Sequence, residues 1–309
     1  MMVVQKLRKF SLFFILLSCA SANITPLSQK VEAKKEEKKV LPEITPQSIS
    51  VKNGQLEYIE MNLPLADGTY EAICSTENLE AKPDKLKFRV KTGTAKIYYS
   101  EDYYSEETQR TCALEDGRVI LNVEISQFPY KEEQLRVAKS KVVLSEEAKK
   151  RVEKEWLMTR DIYNSSAPEF LFDQPFRMPL YTKITSDFGK RRVFNDLKKT
   201  SHLGTDFRAA VGVKIPVANS GRVVFVGDLF YTGNVVIVDH GMDIFTLYAH
   251  LSRIDVQQGQ PVVKGQIIGL AGKTGRVSGP HLHWGVKVAG KAADGASLVE
   301  SSKKQFGLK

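Results

Sequence analysis

The sequence predicts a mainly β protein with three successive parts: a small β-sandwich domain, a connecting helix and a second strand-rich domain. Short strand-like runs in its first half are separated by the turn pairs Asn53-Gly54, Asp67-Gly68 and Asp116-Gly117. Strand-like runs in the second half alternate with glycine-containing loops and show no long helical period. At 309 residues the chain is too long for one ordinary domain, so we expect two.

Composition narrows the class of protein further. Hydrophobic residues make up 42% of the chain, but no apolar run reaches the roughly 18 residues that a membrane-spanning helix needs. The formal net charge of +9 favours an anionic polymer as partner. The excess is mild, and we do not expect that polymer to be nucleic acid.

The N-terminal residues 1–22 have the order of a secretory signal peptide: basic residues, an apolar stretch and small residues. We expect cleavage after Ala22 and export to the periplasm or cell envelope. An alternative is a lipobox ending at Cys19, which would make the protein an outer-membrane lipoprotein. Only lipidation of Cys19 would then place the protein at a membrane. Residues 23–45 are highly charged and predict a solvated linker.

Residues 46–138 form the predicted β-sandwich. Cys74 and Cys112 are the two cysteines that remain after the signal, and an even pair in an exported protein predicts a disulfide. Residues 139–170 are the connecting helix and linker. Ser145 provides an N-cap oxygen and two glutamates follow it, so the helix should begin there and run to about Tyr163.

Residues 171–309 form the second domain, which contains all five histidines of the chain. In an extended strand alternate side chains share a face, so His281 and His283 should point the same way, opposite Leu282 and Trp284. The same alternation puts His250 on the face of Thr246 and Tyr248, where it is free to line a cleft. The face opposite His250 would carry Phe245, Leu247 and Ala249.

His202 and Asp206 are four residues apart, on one side of either a strand or a helix, and the intervening Gly204 disfavours the helix. Three nitrogen or oxygen ligands with one open position are what a catalytic zinc site requires. Scattered histidines and aspartates can equally serve as buried polar groups. Spacing alone does not say which histidine of the H-x-H pair would bind a metal.

Together these residues resemble the lysostaphin-like (LytM-type) zinc metallopeptidases, whose signature is H-x-x-x-D followed downstream by H-x-H. The resemblance spans residues 176–288. Its blocks, in order, are residues 186–192, 201–207, 248–251 and 279–284. It implies an antiparallel β-sheet catalytic domain of the duplicated-hybrid-motif type. The chain departs from the family after the last strand, where an acidic-proline pair is common and this sequence has Asp294-Gly295.

The resemblance also implies roles for individual residues. His202, Asp206 and His283 would bind one Zn²⁺ per chain, His281 would be the general base, and His250 would stabilise the tetrahedral intermediate. The implied activity is hydrolysis of cross-links or stem peptides of bacterial peptidoglycan by a monomeric zinc endopeptidase. Two alternatives remain: a catalytically silent cell-wall protein that activates an amidase, and a peptidase acting on proteins.

Overall fold

The structure is a computed structural model that describes residues 41–77, 82–135, 144–194 and 198–308. The predicted signal peptide, Cys19 and most of the predicted linker lie outside the described residues. Within the described part, no helix has both the length and the apolar character needed to cross a membrane. Pro42–Lys309 form one compact unit.

The first half of the described chain is a barrel-like sheet of seven strands. Their order is β1-β7-β6-β3-β4-β5-β2, and all neighbours are antiparallel except β1 and β7. The two end strands, β1 and β2, follow each other in the chain. The strands are β1 (Gln47–Lys52), β2 (Leu56–Asn62), β3 (Gly68–Ser75), β4 (Asp84–Lys91), β5 (Thr94–Ser100), β6 (Gln109–Ala113) and β7 (Val119–Ser126).

Alternation of apolar and polar residues explains this sheet. In β3 and β4 buried side chains alternate with more exposed ones. The buried ones share one core with residues of the neighbouring strands, in which Phe88, Ile97 and Ile120 are fully buried. The mainly β class is therefore confirmed, but these strands surround a single core in one curled sheet where two facing sheets were predicted. Cys74 and Cys112 pair directly across β3 and β6 and form the predicted disulfide.

The connecting helix also follows the prediction. Helix α1 (Glu146–Tyr163) begins after Ser145, whose side chain accepts a hydrogen bond from the Ala148 amide. It packs on the strand Gly221–Leu229 of the second half of the chain, where Arg151 pairs with Asp228 at 2.8 Å. A short strand precedes the helix, β8 (Glu132–Leu135).

The second half contains an eight-stranded sheet and two three-stranded sheets. The large sheet has the order β18-β14-β15-β16-β20-β12-β9, with β21 added beside β20. One small sheet is β13-β19-β17, and the other is β11-β10-β8. The strands are β9 (Ile184–Ser186), β10 (Arg191–Phe194), β11 (Lys198–Ser201), β12 (Thr205–Arg208), β13 (Lys214–Pro216), β14 (Gly221–Leu229), β15 (Gly233–Asp239), β16 (Ile244–Ala249), β17 (Leu251–Ile254), β18 (Pro261–Val262), β19 (Ile267–Ala271), β20 (His281–Val288) and β21 (Lys291–Ala293).

The chain ends in a helix that the sequence analysis did not predict, α2 (Gly295–Gln305). Asp294 caps it by accepting a hydrogen bond from the Ala296 amide at 3.0 Å. Leu298 and Val299 bury the inner side of the helix in the core of the large sheet. The departure from the family pattern at Asp294-Gly295 is thus the start of this helix.

Candidate metal centre and active site

Three of the predicted residues converge at one point of the large sheet. Asp206 of β12 lies directly opposite His283 of β20, and Asp206 Oδ1 is 2.8 Å from His283 Nδ1. His202 Nε2 is 3.0 Å from the same carboxylate oxygen and 3.1 Å from His283 Nδ1. Three potential ligand atoms therefore surround one small volume.

His202 reaches this point because the chain reverses between β11 and β12. The backbone of His202 is held by two hydrogen bonds, its amide to the Lys190 carbonyl and its carbonyl to the Gly189 amide. Gly204 lies in the turn, where an added Cβ would come within 2.6 Å of His283 Nε2. His202 and Asp206 thus meet across a glycine turn, where the sequence analysis expected a shared side of one strand or helix.

The hydrogen bonds of His202 support a metal between the three side chains. Its Nδ1 lies 2.9 Å from the Asp187 carbonyl oxygen, which can only accept, so Nδ1 carries the proton. Nε2 then presents a lone pair to the carboxylate of Asp206. Ligands around a tetrahedral zinc, with bonds of about 2.0–2.2 Å, lie about 3.4 Å apart. The observed separations fit such an ion after small adjustments.

The pKa shifts of Asp206 and His283 agree with this interpretation. Burial would raise the pKa of Asp206, but the neighbouring imidazoles of His202 and His283 outweigh it and hold that pKa well below its usual range. Burial lowers the pKa of His283. An ionised carboxylate and a neutral imidazole are the protonation states in which Asp206 and His283 could bind a metal.

His281 and His250 complete the group. His281 Nε2 lies 3.6 Å from Asp206 Oδ1, and the rings of His281 and His250 are 4.7 Å apart. In each ring Nδ1 donates to a backbone carbonyl at 2.9 Å, that of Gly279 for His281 and that of Thr274 for His250. Burial, and then the charge of His283, lowers the pKa of His250 to about 4.

The predicted alternation holds for β20 but fails for β16. His281 and His283 share a face, while Leu282 and Trp284 are buried in the core. In β16, however, Ala249 pairs with His283, so Ala249 lies on the site's face of the sheet. His250 joins the site only because its backbone turns left-handed, with φ of 64°, between β16 and β17.

His240, the fifth histidine, lies in the core. Its Nδ1 is 2.7 Å from the Ser220 carbonyl and its Nε2 is 2.7 Å from Thr246 Oγ1. Both nitrogens are thus engaged away from the other four rings, and its contribution is to the packing beneath the sheet.

Comparison with known proteins now assigns the segment that carries this site. Residues 200–295 match the model of peptidase family M23. This segment is an M23 peptidase domain. It contains all five site residues, and the predicted resemblance to lysostaphin-like peptidases is confirmed.

Relatives of the M23 domain include two curated proteins. One is the peptidoglycan DD-endopeptidase ShyA of Vibrio cholerae, 43% identical over 118 residues, which are 37% of this chain and 27% of the relative. The other is the DD-carboxypeptidase/endopeptidase Mpg of Neisseria meningitidis, 36% identical over 122 residues, which are 39% of this chain and 28% of the relative. The matches thus span little more than a quarter of each relative.

The fold similarity extends beyond the M23 domain. A crystal structure from Pseudomonas aeruginosa, provisionally described as a peptidase M23, is similar over 81% of this chain and 95% of its own, with a TM-score of 0.60. Its sequence identity of 21% establishes a shared fold and nothing more. That coverage includes strands that precede the M23 domain.

Proposed function

We propose that this protein is a zinc-dependent endopeptidase that hydrolyses cross-links or stem peptides of bacterial peptidoglycan. The observation that carries the proposal is the convergence of His202, Asp206 and His283 within 3.1 Å, with two further imidazoles beside them. The names of the curated relatives favour wall peptides as substrate over other proteins. A catalytically silent amidase activator is not favoured, because each of the five positions of the family's site pattern carries the expected residue.

His202 Nε2, Asp206 Oδ1 and His283 Nδ1 would hold one zinc ion per chain. When bound, zinc lowers the pKa of water in its coordination shell and polarises the scissile carbonyl. The Asp187 carbonyl fixes His202 in the tautomer whose Nε2 faces the centre. This hydrogen bond at Nδ1 orients the His202 ring and increases the basicity of its Nε2.

His281 is assigned as the general base. Its Nδ1 proton is held by the Gly279 carbonyl, so Nε2 can accept a proton from the attacking water. His250 is assigned to stabilise the tetrahedral intermediate. Its Nδ1 proton is donated to the Thr274 carbonyl, so donation toward the intermediate requires a second proton on Nε2. The lowered pKa of His250 disfavours that proton until negative charge develops on the intermediate, because a nearby anion favours the charged imidazole.

The proposal includes location and assembly. An enzyme that acts on peptidoglycan peptides has to leave the cytoplasm, in agreement with the signal peptide predicted for residues 1–22. We propose a monomer in the periplasm or cell envelope. Membrane attachment would follow only from lipidation of Cys19.

Single substitutions separate the proposed roles. His202→Ala and His283→Ala should lose both bound zinc and release of muropeptides from purified sacculi. His281→Ala should retain zinc while activity falls by about 100-fold or more, because only the proton acceptor is removed. Zinc is measured by atomic absorption and products by mass spectrometry. Sacculi digested at full rate by zinc-free protein would contradict the mechanism.

A further inference from the structure

The proposed metal ligand His202 is held by one short segment, residues 187–190, which precedes the part of the chain that matches family M23. The Asp187 carbonyl contacts the His202 ring at Nδ1, at 2.9 Å. The backbone of His202 is bonded to the other end of the segment: its carbonyl accepts from the Gly189 amide at 2.7 Å, and its amide donates to the Lys190 carbonyl at 3.0 Å. The position and the orientation of the His202 ring therefore depend on where this segment lies.

The segment is in turn contacted by Tyr103, which lies in the loop between β5 and β6 of the barrel-like sheet. Tyr103 is 3% exposed, and its hydroxyl donates to the Gly189 carbonyl at 2.8 Å. Its ring meets the Phe188 ring edge-on, with the ring centres 5.9 Å apart. Gly189 thus accepts from Tyr103 through its carbonyl and donates to His202 through its amide. Two hydrogen bonds and one intervening residue connect the barrel-like half of the chain to a proposed metal ligand.

The hydroxyl proton of Tyr103 has a defined direction. Arg191 Nε lies 3.3 Å from the Tyr103 oxygen, and a guanidinium can only donate. The hydroxyl therefore accepts from Arg191 and uses its own proton for the Gly189 carbonyl. Because a buried carbonyl that loses its donor is costly, this hydrogen bond fixes the place of the Gly189 peptide group.

The contact with the segment is also fixed from the side of the barrel-like sheet. Asn53, in the turn between β1 and β2, is 1% exposed and donates from Nδ2 to the Tyr103 carbonyl at 2.7 Å. The backbone carbonyl of Asn53 accepts from the Tyr130 hydroxyl at 2.8 Å. The Tyr130 ring covers Gly189 so closely that an added Cβ would overlap it, and the φ of 77° at Gly189 also favours glycine. Two tyrosines that are bonded to one asparagine therefore hold residues 187–190 in place.

We propose that Tyr103 is a positioning residue for the metal centre: its hydroxyl holds Gly189 and thereby keeps His202 oriented as a zinc ligand. The proposal rests on the proposed peptidase function, because it concerns the metal site assigned there. Loss of a group that orients a metal ligand reduces metal affinity about 10- to 100-fold. Tyr103 acts through one intervening residue, so we expect the lower end of this range, about tenfold.

The test substitutes Tyr103→Phe in the full chain, which removes the hydroxyl and keeps the ring. Zinc affinity, measured by competition with a chelating dye, should fall about tenfold. Tyr98→Phe is the matched control, because the Tyr98 hydroxyl donates to Gln305 Oε1 of α2 at 2.5 Å and so also joins the barrel-like sheet to the second half of the chain. The control should bind zinc as tightly as wild type does. An equal loss of zinc affinity in both variants would overturn the proposal, since the effect would then be a general one.

Replacing Zn²⁺ by Co²⁺ separates a positioning role from a merely structural one. The visible absorption bands of bound Co²⁺ depend on the arrangement of its ligands, whereas Zn²⁺ has a filled d shell and no such bands. Tyr103→Phe should shift or weaken these bands, and Tyr98→Phe should keep the wild-type spectrum. Tyr103→Met, which lacks both the hydroxyl and the ring, should change the spectrum at least as much. Wild-type zinc affinity and wild-type Co²⁺ spectra in both Tyr103 variants would overturn the proposal.

Failure of the peptidase function gives a different result. Wild type would then bind Zn²⁺ and Co²⁺ but release no muropeptides from sacculi, and the comparison of metal affinities would still decide the role of Tyr103. A wild-type protein that binds neither metal would overturn the positioning role together with the metal site.

Discussion

At the scale of single residues, the site depends on two backbone positions as much as on its ligands. Gly204 lets His202 fold back onto Asp206, and the left-handed conformation of His250 brings that ring beside His281. A left-handed conformation is uncommon for residues other than glycine, so position 250 combines an unusual backbone conformation with the side chain proposed to stabilise the intermediate.

Gly204→Ala should weaken zinc binding by about 10- to 100-fold, because the new methyl group would overlap the His283 imidazole and displace a ligand. Competition with a chelating dye measures the affinity. Gly279→Ala is the matched control, since a Cβ there meets nothing within 4 Å. Equal zinc affinity in all three proteins would show that the turn tolerates the methyl group.

His240 should make stability depend on pH. Burial lowers its pKa from 6.5 to about 4, so between these values the unfolded chain binds a proton that the folded chain excludes. The free energy of unfolding should therefore fall as pH decreases from 6.5 to 4, with about 3 kcal/mol arising from this residue. In urea titrations across this range, His240→Gln should show a correspondingly smaller fall. Parallel curves for the two proteins would contradict the assignment.

At the scale of elements, periodicity predicts strand faces well only where a strand remains regular. The alternation in β20 correctly separates His281 and His283 from the core. In β16 the prediction put Ala249 on the face opposite His250, yet Ala249 lies on the same face as the site. The reason is that the strand ends at Ala249 and the chain changes direction at His250. Helix α2 was missed although Asp294 is a good N-cap residue, since its apolar side is short.

The disulfide between β3 and β6 should contribute substantially to stability. It closes a separation of 38 residues, for which loop entropy predicts about 4 kcal/mol. Replacing both Cys74 and Cys112 by alanine should lower the urea midpoint accordingly, and reducing the wild-type protein should reproduce much of that loss. An unchanged midpoint in the double variant would show that the bridge adds nothing to stability.

At the scale of the whole molecule, the barrel-like sheet and the M23 domain share a core. Leu56 and Tyr98 of the barrel-like sheet belong to the same buried cluster as Trp284 of β20. Ion pairs join the same two parts: Lys87 with Asp243 at 2.6 Å, and Asp84 with Lys291 at 2.7 Å.

We therefore expect the described part of the chain to unfold in one cooperative transition. Exposing the shared cluster by unfolding either part would destabilise the other. Scanning calorimetry should give one peak whose van't Hoff and calorimetric enthalpies agree. Two resolved transitions would mean that the shared core contributes little.

The sequence by itself determined the features that neighbouring residues encode. These include the cap of α1 at Ser145, the two faces of β20 and the even pair of cysteines. Its motif blocks also identified the segment that matches family M23, and they predicted the five residues that the proposed mechanism uses. Only the tertiary structure decided how His202 meets Asp206, why His250 reaches the site, and that Tyr103 contacts the segment that holds His202. The reason is physical: alternation and capping are local, whereas convergence depends on packing between segments far apart in the chain.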